Sequence, residues 1–157
     1  MGLLRGAGAG VIGVAGMAGA ITTLRRAILP PDHEVKTHPE NVVERAYGLA
    51  GRAEELDIVT RRRLGDLIHY GYGAAWGAAY AAATAGRRPH PLVGGPVLAA
   101  GLWGLGFCVM FPATGVHPGP WRWEGREFLL TGVAHAVYGA VMALVLDALD
   151  GLAGEAR

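Results

Sequence analysis

The chain has 157 residues, about one ordinary domain's worth, and is 52% hydrophobic and 17% charged, against roughly 25% charged for an average soluble domain. Its 14 Lys and Arg nearly balance 13 Asp and Glu, which excludes a disordered polyelectrolyte and argues against a nucleic-acid binder. A single cysteine excludes an internal disulfide framework and a cysteine-rich zinc module.

The charges fall in blocks. Residues 6–24, 67–86, 89–121 and 128–146 carry none. A helix of about 20 residues covers about 30 Å, the thickness of a bilayer's hydrocarbon core. In lipid the backbone must satisfy its own hydrogen bonds, so such segments read as helices. Spans are expected at about 6–26, 66–86, 92–111 and 128–147, with Pro112, Pro118 and Pro120 closing the third. A soluble helical domain would show a polar face on each helix, and residues 128–146 have none. The first span resembles a secretory signal around Arg5 and Ala18-Gly19-Ala20. Arg25 and Arg26 close it as flanking charges close a retained membrane helix.

Glycine makes up 26 residues, more than twice the usual share of about 7%. Helices in lipid associate by close packing, so small residues are expected where they touch. Gly6 and Gly10 are four apart, as are Gly73 and Gly77; Gly13, Gly16 and Gly19 continue a stripe, and Gly101 and Gly104 offer one in the third span.

The one large polar connection, 27–65, follows the Pro30-Pro31 break. Thr37-His38-Pro39-Glu40 has capping-box spacing, and Val42, Val43, Ala46, Tyr47, Ala50 and Ala53 recur at helical intervals. This predicts an amphipathic helix at about 39–55. A further helix is expected from near Thr60 into the second span, with Arg61-Arg62-Arg63 at headgroup level. Basic residues are more numerous in the two long connections than beside the termini. The positive-inside rule therefore puts both termini outside the cytoplasm. Trp121 and Trp123 suit an interfacial aromatic belt, and Cys108 reads as inert packing.

A weak internal repeat relates the two halves. His69-Tyr70-Gly71-Tyr72-Gly73-Ala74 and His135-Ala136-Val137-Tyr138-Gly139-Ala140 share His-x-x-Tyr-Gly-Ala. Each is preceded by a Pro-broken helix and a His-Pro pair, His38-Pro39 and His117-Pro118. Two helical hairpins in a parallel repeat would bring His69, His135, His38 and His117 to one membrane face, with Tyr72 and Tyr138 beside them. Histidines there act as hydrogen-bonding glue between helices, as proton or solute ligands, or as metal or haem ligands. No His-x-x-x-His or Glu-x-x-His pair completes a metal signature, and a carboxylate pair at Glu124 and Glu127 has no other catalytic element beside it.

The Leu29-Pro30-Pro31 break, the His69 helix, the Phe111-Pro112-Ala113-Thr114-Gly115-Val116-His117-Pro118 turn and the His135 helix, in this order, resemble the YagU-like proteins. That resemblance implies a helical bundle in the bacterial inner membrane, with His69, His135 and the 111–118 turn as recurring positions of no assigned role. The expectation is an all-α, four-span membrane bundle forming one domain over 1–157. It would act without catalysis as a structural or accessory component, self-associating or joined to other membrane subunits. Proton or solute permeation is the first alternative and a haem- or metal-binding redox protein the second; no nucleic acid and no obligatory cofactor are expected.

Overall fold

The computed structural model describes residues 2–28, 36–87 and 89–155, and it is helical, with no strand among them. Helix α1 is Gly2–Ile28, α2 is His38–Leu49 and α3 is Ile58–Ala83. Helix α4 runs Pro91–Thr114, and α5 is Gly125–Glu155. Single 3-10 turns at Ala53–Glu55 and Pro120–Arg122 precede α3 and α5. The Pro30-Pro31 break and His33 lie outside the described residues.

Three helices, α1, α4 and α5, are long and apolar enough to cross a bilayer. The fourth expected span, 66–86, falls on the later part of α3, which stops at Ala83 and whose 26 residues give it sufficient length at about 39 Å. Its composition is the difference. It carries the arginines and Asp66, and beyond Ile68 it is built of Ala, Gly, Tyr, Trp and His in place of Leu, Val and Ile, so it is less apolar than the other three.

The helices run up and down. Gly6 lies against Gly77 and Gly10 against Gly73, so α1 and α3 are antiparallel. Gly13 meets Tyr138 and Met142, while Arg5 pairs with Asp150 at 2.9 Å, so α1 and α5 are antiparallel too. Gly95 lies against Gly139, and Trp103 Nε1 donates to Thr131 Oγ1 at 3.2 Å, which sets α4 antiparallel to α5. At each glycine pair a Cβ on one helix would strike the backbone of the other, so only glycine permits this approach. The two halves of the repeat thus make the same joint: Gly73 seats α3 on α1 as Gly139 seats α5 on α4. Gly101, Gly104 and Gly19 do not take part, since a Cβ at any of them meets nothing within 4 Å. The glycines that hold α4 are Gly94, beneath Tyr80, and Gly95.

Val14 and Met142 are the largest fully buried side chains, at the centre where α1 crosses α5. Tyr138 is buried beside them, and its hydroxyl donates to the Gly73 carbonyl at 2.8 Å. The repeat had placed Tyr138 with the histidines; instead it ties α5 to the α1–α3 joint. Tyr138→Phe is expected to lower stability by about 1 kcal/mol, seen as an earlier transition in a denaturing-detergent titration.

Helix α2 is shorter than the predicted 39–55. It ends at Ala50 because Gly51 turns the chain at φ +69°, and α3 starts two residues before Thr60, capped by Asp57. The capping box is present: the Thr37 hydroxyl accepts from the Glu40 amide, and Glu40 Oε2 accepts from the Thr37 amide at 2.7 Å. Buried Glu40 then rests over Gly65 of α3, with Arg61 Nε 3.6 Å from its other oxygen. At the far side Arg45 Nε donates to the Thr114 carbonyl at 3.0 Å, a cation at the end of α4.

Helix α4 does not stop at Pro112 but runs through it by a π-helical segment, Gly104–Met110. Proline offers no N–H to the carbonyl four residues back, and its ring crowds that carbonyl; a widened turn accommodates both. Cys108 lies on the exposed side of this segment, not in the packing expected of it. His90, to which the sequence assigned nothing, caps α4 by accepting from the Leu92 amide at 3.3 Å.

Candidate functional site

At the end of the bundle where the long connections meet, the helices part around a cavity of about 520 Å³. That is within the roughly 300–1,000 Å³ of small-molecule pockets. His69 and Tyr72 reach it from α3, His135 from α5, His38 from the first turn of α2 and His117 from the turn after α4. Five of the six polar positions singled out from the sequence therefore share one space; Tyr138 alone does not.

Two kinds of local structure bring the histidines together. His69 and His135 stand one turn before Gly73 and Gly139, so the two joints that bring the helices close also place these rings. His38 and His117 are held by non-repetitive elements. The capping box fixes His38 at the start of α2, and left-handed Gly115, at φ +69°, turns the chain after α4 towards His117.

The rings are bound into an aromatic group centred on Phe107. His38 lies edge-on to Phe107 at 4.7 Å between ring centroids and His135 at 5.4 Å, while Trp123 packs against Phe107 at 4.9 Å. His117 stands 4.8 Å from His38 and 5.3 Å from Trp123. Phe107 and Trp123 had no place among the candidates. Phe107 lies in the π-helical segment, which directs it inward with Gly106. Trp123, read as a belt residue, packs inside; Trp121 is the exposed one, and Trp123 Nε1 donates to the Pro118 carbonyl at 2.7 Å.

Three of the four imidazoles have a hydrogen-bonding neighbour. His135 Nδ1 is 2.8 Å from the Thr131 carbonyl, which can only accept, so Nδ1 carries the proton and the neutral ring has its lone pair on Nε2. His69 Nε2 faces Met17 Sδ at 3.2 Å, a weak acceptor. His117 Nδ1 donates to the Pro118 carbonyl at 3.0 Å, and its Nε2 lies 3.3 Å from Glu127 Oε1. His38 differs: its Nε2 is buried without a hydrogen-bond partner. Burial, reinforced by repulsion from His117, His135, Arg25 and His69, pushes the His38 ring down to about 3, so it is neutral at neutral pH.

The mouth of the cavity is charged. Arg25, Lys36 and Arg126 stand there with Glu124 and Glu127. Arg126 pairs with Glu124 at 2.6 Å and Lys36 with Glu44 at 2.7 Å. Glu127, one of the two carboxylates noted in the sequence, is the partner of His117. Among the described residues no group of three or more His, Cys, Asp and Glu is arranged to hold a metal ion. The deeper lining is apolar, with Met17, Leu102, Phe107, Met110 and Leu130.

No protein-family model, curated protein or solved structure matches the chain.

Proposed function

We propose that the protein is a four-span bundle of the bacterial inner membrane, similar to the YagU-like proteins, and that it works without catalysis as an accessory component. Its task on this reading is to hold a small ligand in the histidine-lined cavity, alone or beside copies of itself or other membrane subunits. The membrane placement is supported by the outward-facing apolar side chains, among them Leu4, Val11, Leu92, Val97, Val109 and Leu129, on the three long apolar helices. Helix α3 counts as the fourth crossing because it lies antiparallel along α1, joined at Gly6–Gly77 and Gly10–Gly73.

One observation carries the functional reading: histidines from four separate elements, with Tyr72, converge on one apolar cavity. Intramembrane ionisable groups are costly to keep, and their gathering in a space of ligand size favours binding over bulk packing. Permeation is the weaker reading, since the glycine joints close the helices on one another between this cavity and a smaller one of about 260 Å³ at the terminal end, lined by Arg5, Tyr80 and Asp150.

Gly106 provides the test. It lines the cavity, and a Cβ there meets nothing within 4 Å. Gly106→Leu is expected to fill the space and lower the affinity for a naphthalene-sized probe by about tenfold or more, with the melting temperature little changed. Calorimetry in nanodiscs, with empty nanodiscs as background, measures this. Undiminished binding in the variant would sink the cavity as the binding site.

A further inference from the structure

We infer that the cavity takes a neutral, ring-sized apolar molecule carrying a hydroxyl donor, such as a phenol. This rests on the ligand-binding reading above and adds the chemistry of the ligand. Three features converge on it. His135 Nε2, on the ring edge away from the carbonyl that takes its Nδ1 proton, offers a lone pair that no described residue uses. The His38 ring packs edge-on to the same Phe107, its own Nε2 buried without a partner. A buried polar atom without a partner is unfavourable, so a group that satisfies it gains affinity. A hydroxyl donates to the lone pair of His135 while remaining neutral.

The walls set the rest of the molecule. Phe107 and Phe111 present ring surfaces, and Met110, Leu102 and Leu130 close an apolar body around the occupant. Aromatic guests favour edge-to-face and offset contacts with such rings. Charge at the mouth selects against ions. An ammonium would find the carboxylates there already engaged, Glu124 with Arg126 and Glu127 with His117. A carboxylate would place its charge against the lone pair of His135, at the apolar end. A neutral hydroxyl avoids both costs.

The experiment compares 1-naphthol with 1-methoxynaphthalene and 1-naphthylmethylamine, by calorimetry on the full chain in nanodiscs. Methylation removes the donor and leaves the ring. The naphthol is expected to bind about tenfold more tightly than the ether, the worth of one hydrogen bond in an apolar site. His135→Phe should abolish that preference while retaining binding of the ether. Should the variant fail to fold, nitrogen-15 spectra of histidine-labelled wild type decide independently: naphthol, and not the ether, should shift the His135 Nε2 resonance. Equal binding of naphthol and ether, or an unmoved Nε2 resonance, overturns the hydroxyl inference and leaves the cavity standing as a binding site. Tighter binding of the amine also overturns it, in favour of a cationic ligand. If none of the three compounds binds above empty nanodiscs, this inference and the ligand-binding function both fall.

Discussion

Gly10→Val is expected to destabilise the bundle by about 3 kcal/mol or more, the upper end of what overpacking costs. A Cβ at Gly10 would strike the Gly73 carbonyl group and come within 3.1 Å of Ala74 Cα. These are backbone atoms, which cannot rotate away as a side chain would, so α1 and α3 must separate along their length. Gly104→Val supplies the control, because a Cβ there meets nothing within 4 Å, and it should stay within about 0.5 kcal/mol of wild type. Titration with a denaturing detergent in mixed micelles, followed by loss of helical signal, measures both. Equal midpoints for the two variants would show that the glycine joints do not determine the packing.

The second large effect is on pH dependence. The His38 ring is held down to about 3 in the folded protein, by burial first and then by His117, His135, Arg25 and His69. Unfolded, the same ring titrates near about 6.5. Between these values the unfolded chain binds one more proton than the folded one. Stability contributed by neutral His38 is therefore complete above about pH 6.5 and falls as the pH drops towards 3. The slope from this one group approaches about 1.4 kcal/mol per pH unit, or about 2 kcal/mol lost between pH 6.5 and 5. His38→Phe keeps a ring among Phe107, Phe111 and Trp123 and removes the titration. Its denaturation midpoint should fall less than that of wild type between pH 7 and pH 5. Parallel slopes in the two proteins would place the acid sensitivity elsewhere.

The fold was legible wherever it followed from charge and apolar run length. The long helices lie close to the expected spans because apolar runs of that length have no other stable conformation in such a chain. Helix starts with a polar cap were legible as well, since Thr37-x-x-Glu40 states its own hydrogen bonds. Contacts between helices were legible only by half. Gly6, Gly10, Gly73 and Gly77 make their joint, but Gly101 and Gly104, at a comparable spacing, face outwards. Spacing along one helix says which residues share a face, not which neighbour that face meets. The same gap explains Tyr72 and Tyr138, identical in the repeat and different in use. The grouping of His38, His69, His117 and His135 could be read from the repeat because equal hairpins return equal positions to the same end. Phe107 could not, because its direction depends on a widened turn two to eight residues before Pro112, and hydrophobic periodicity assumes a regular helix.

One wall of the cavity differs in kind from the others. His38 and Pro39 belong to α2, a short polar-sided helix seated on Glu40 over Gly65 and held to the end of α4 by Arg45. Most of the remaining lining comes from the long helices, whose spacing the glycine joints fix, with His117 and Glu124 added from the turn between α4 and α5. The ties that seat α2 are charged, Glu40 and Glu44 to Arg61 at 3.6 and 2.8 Å and Arg45 to the Thr114 carbonyl at 3.0 Å, so this wall is the one whose hold weakens as salt is added.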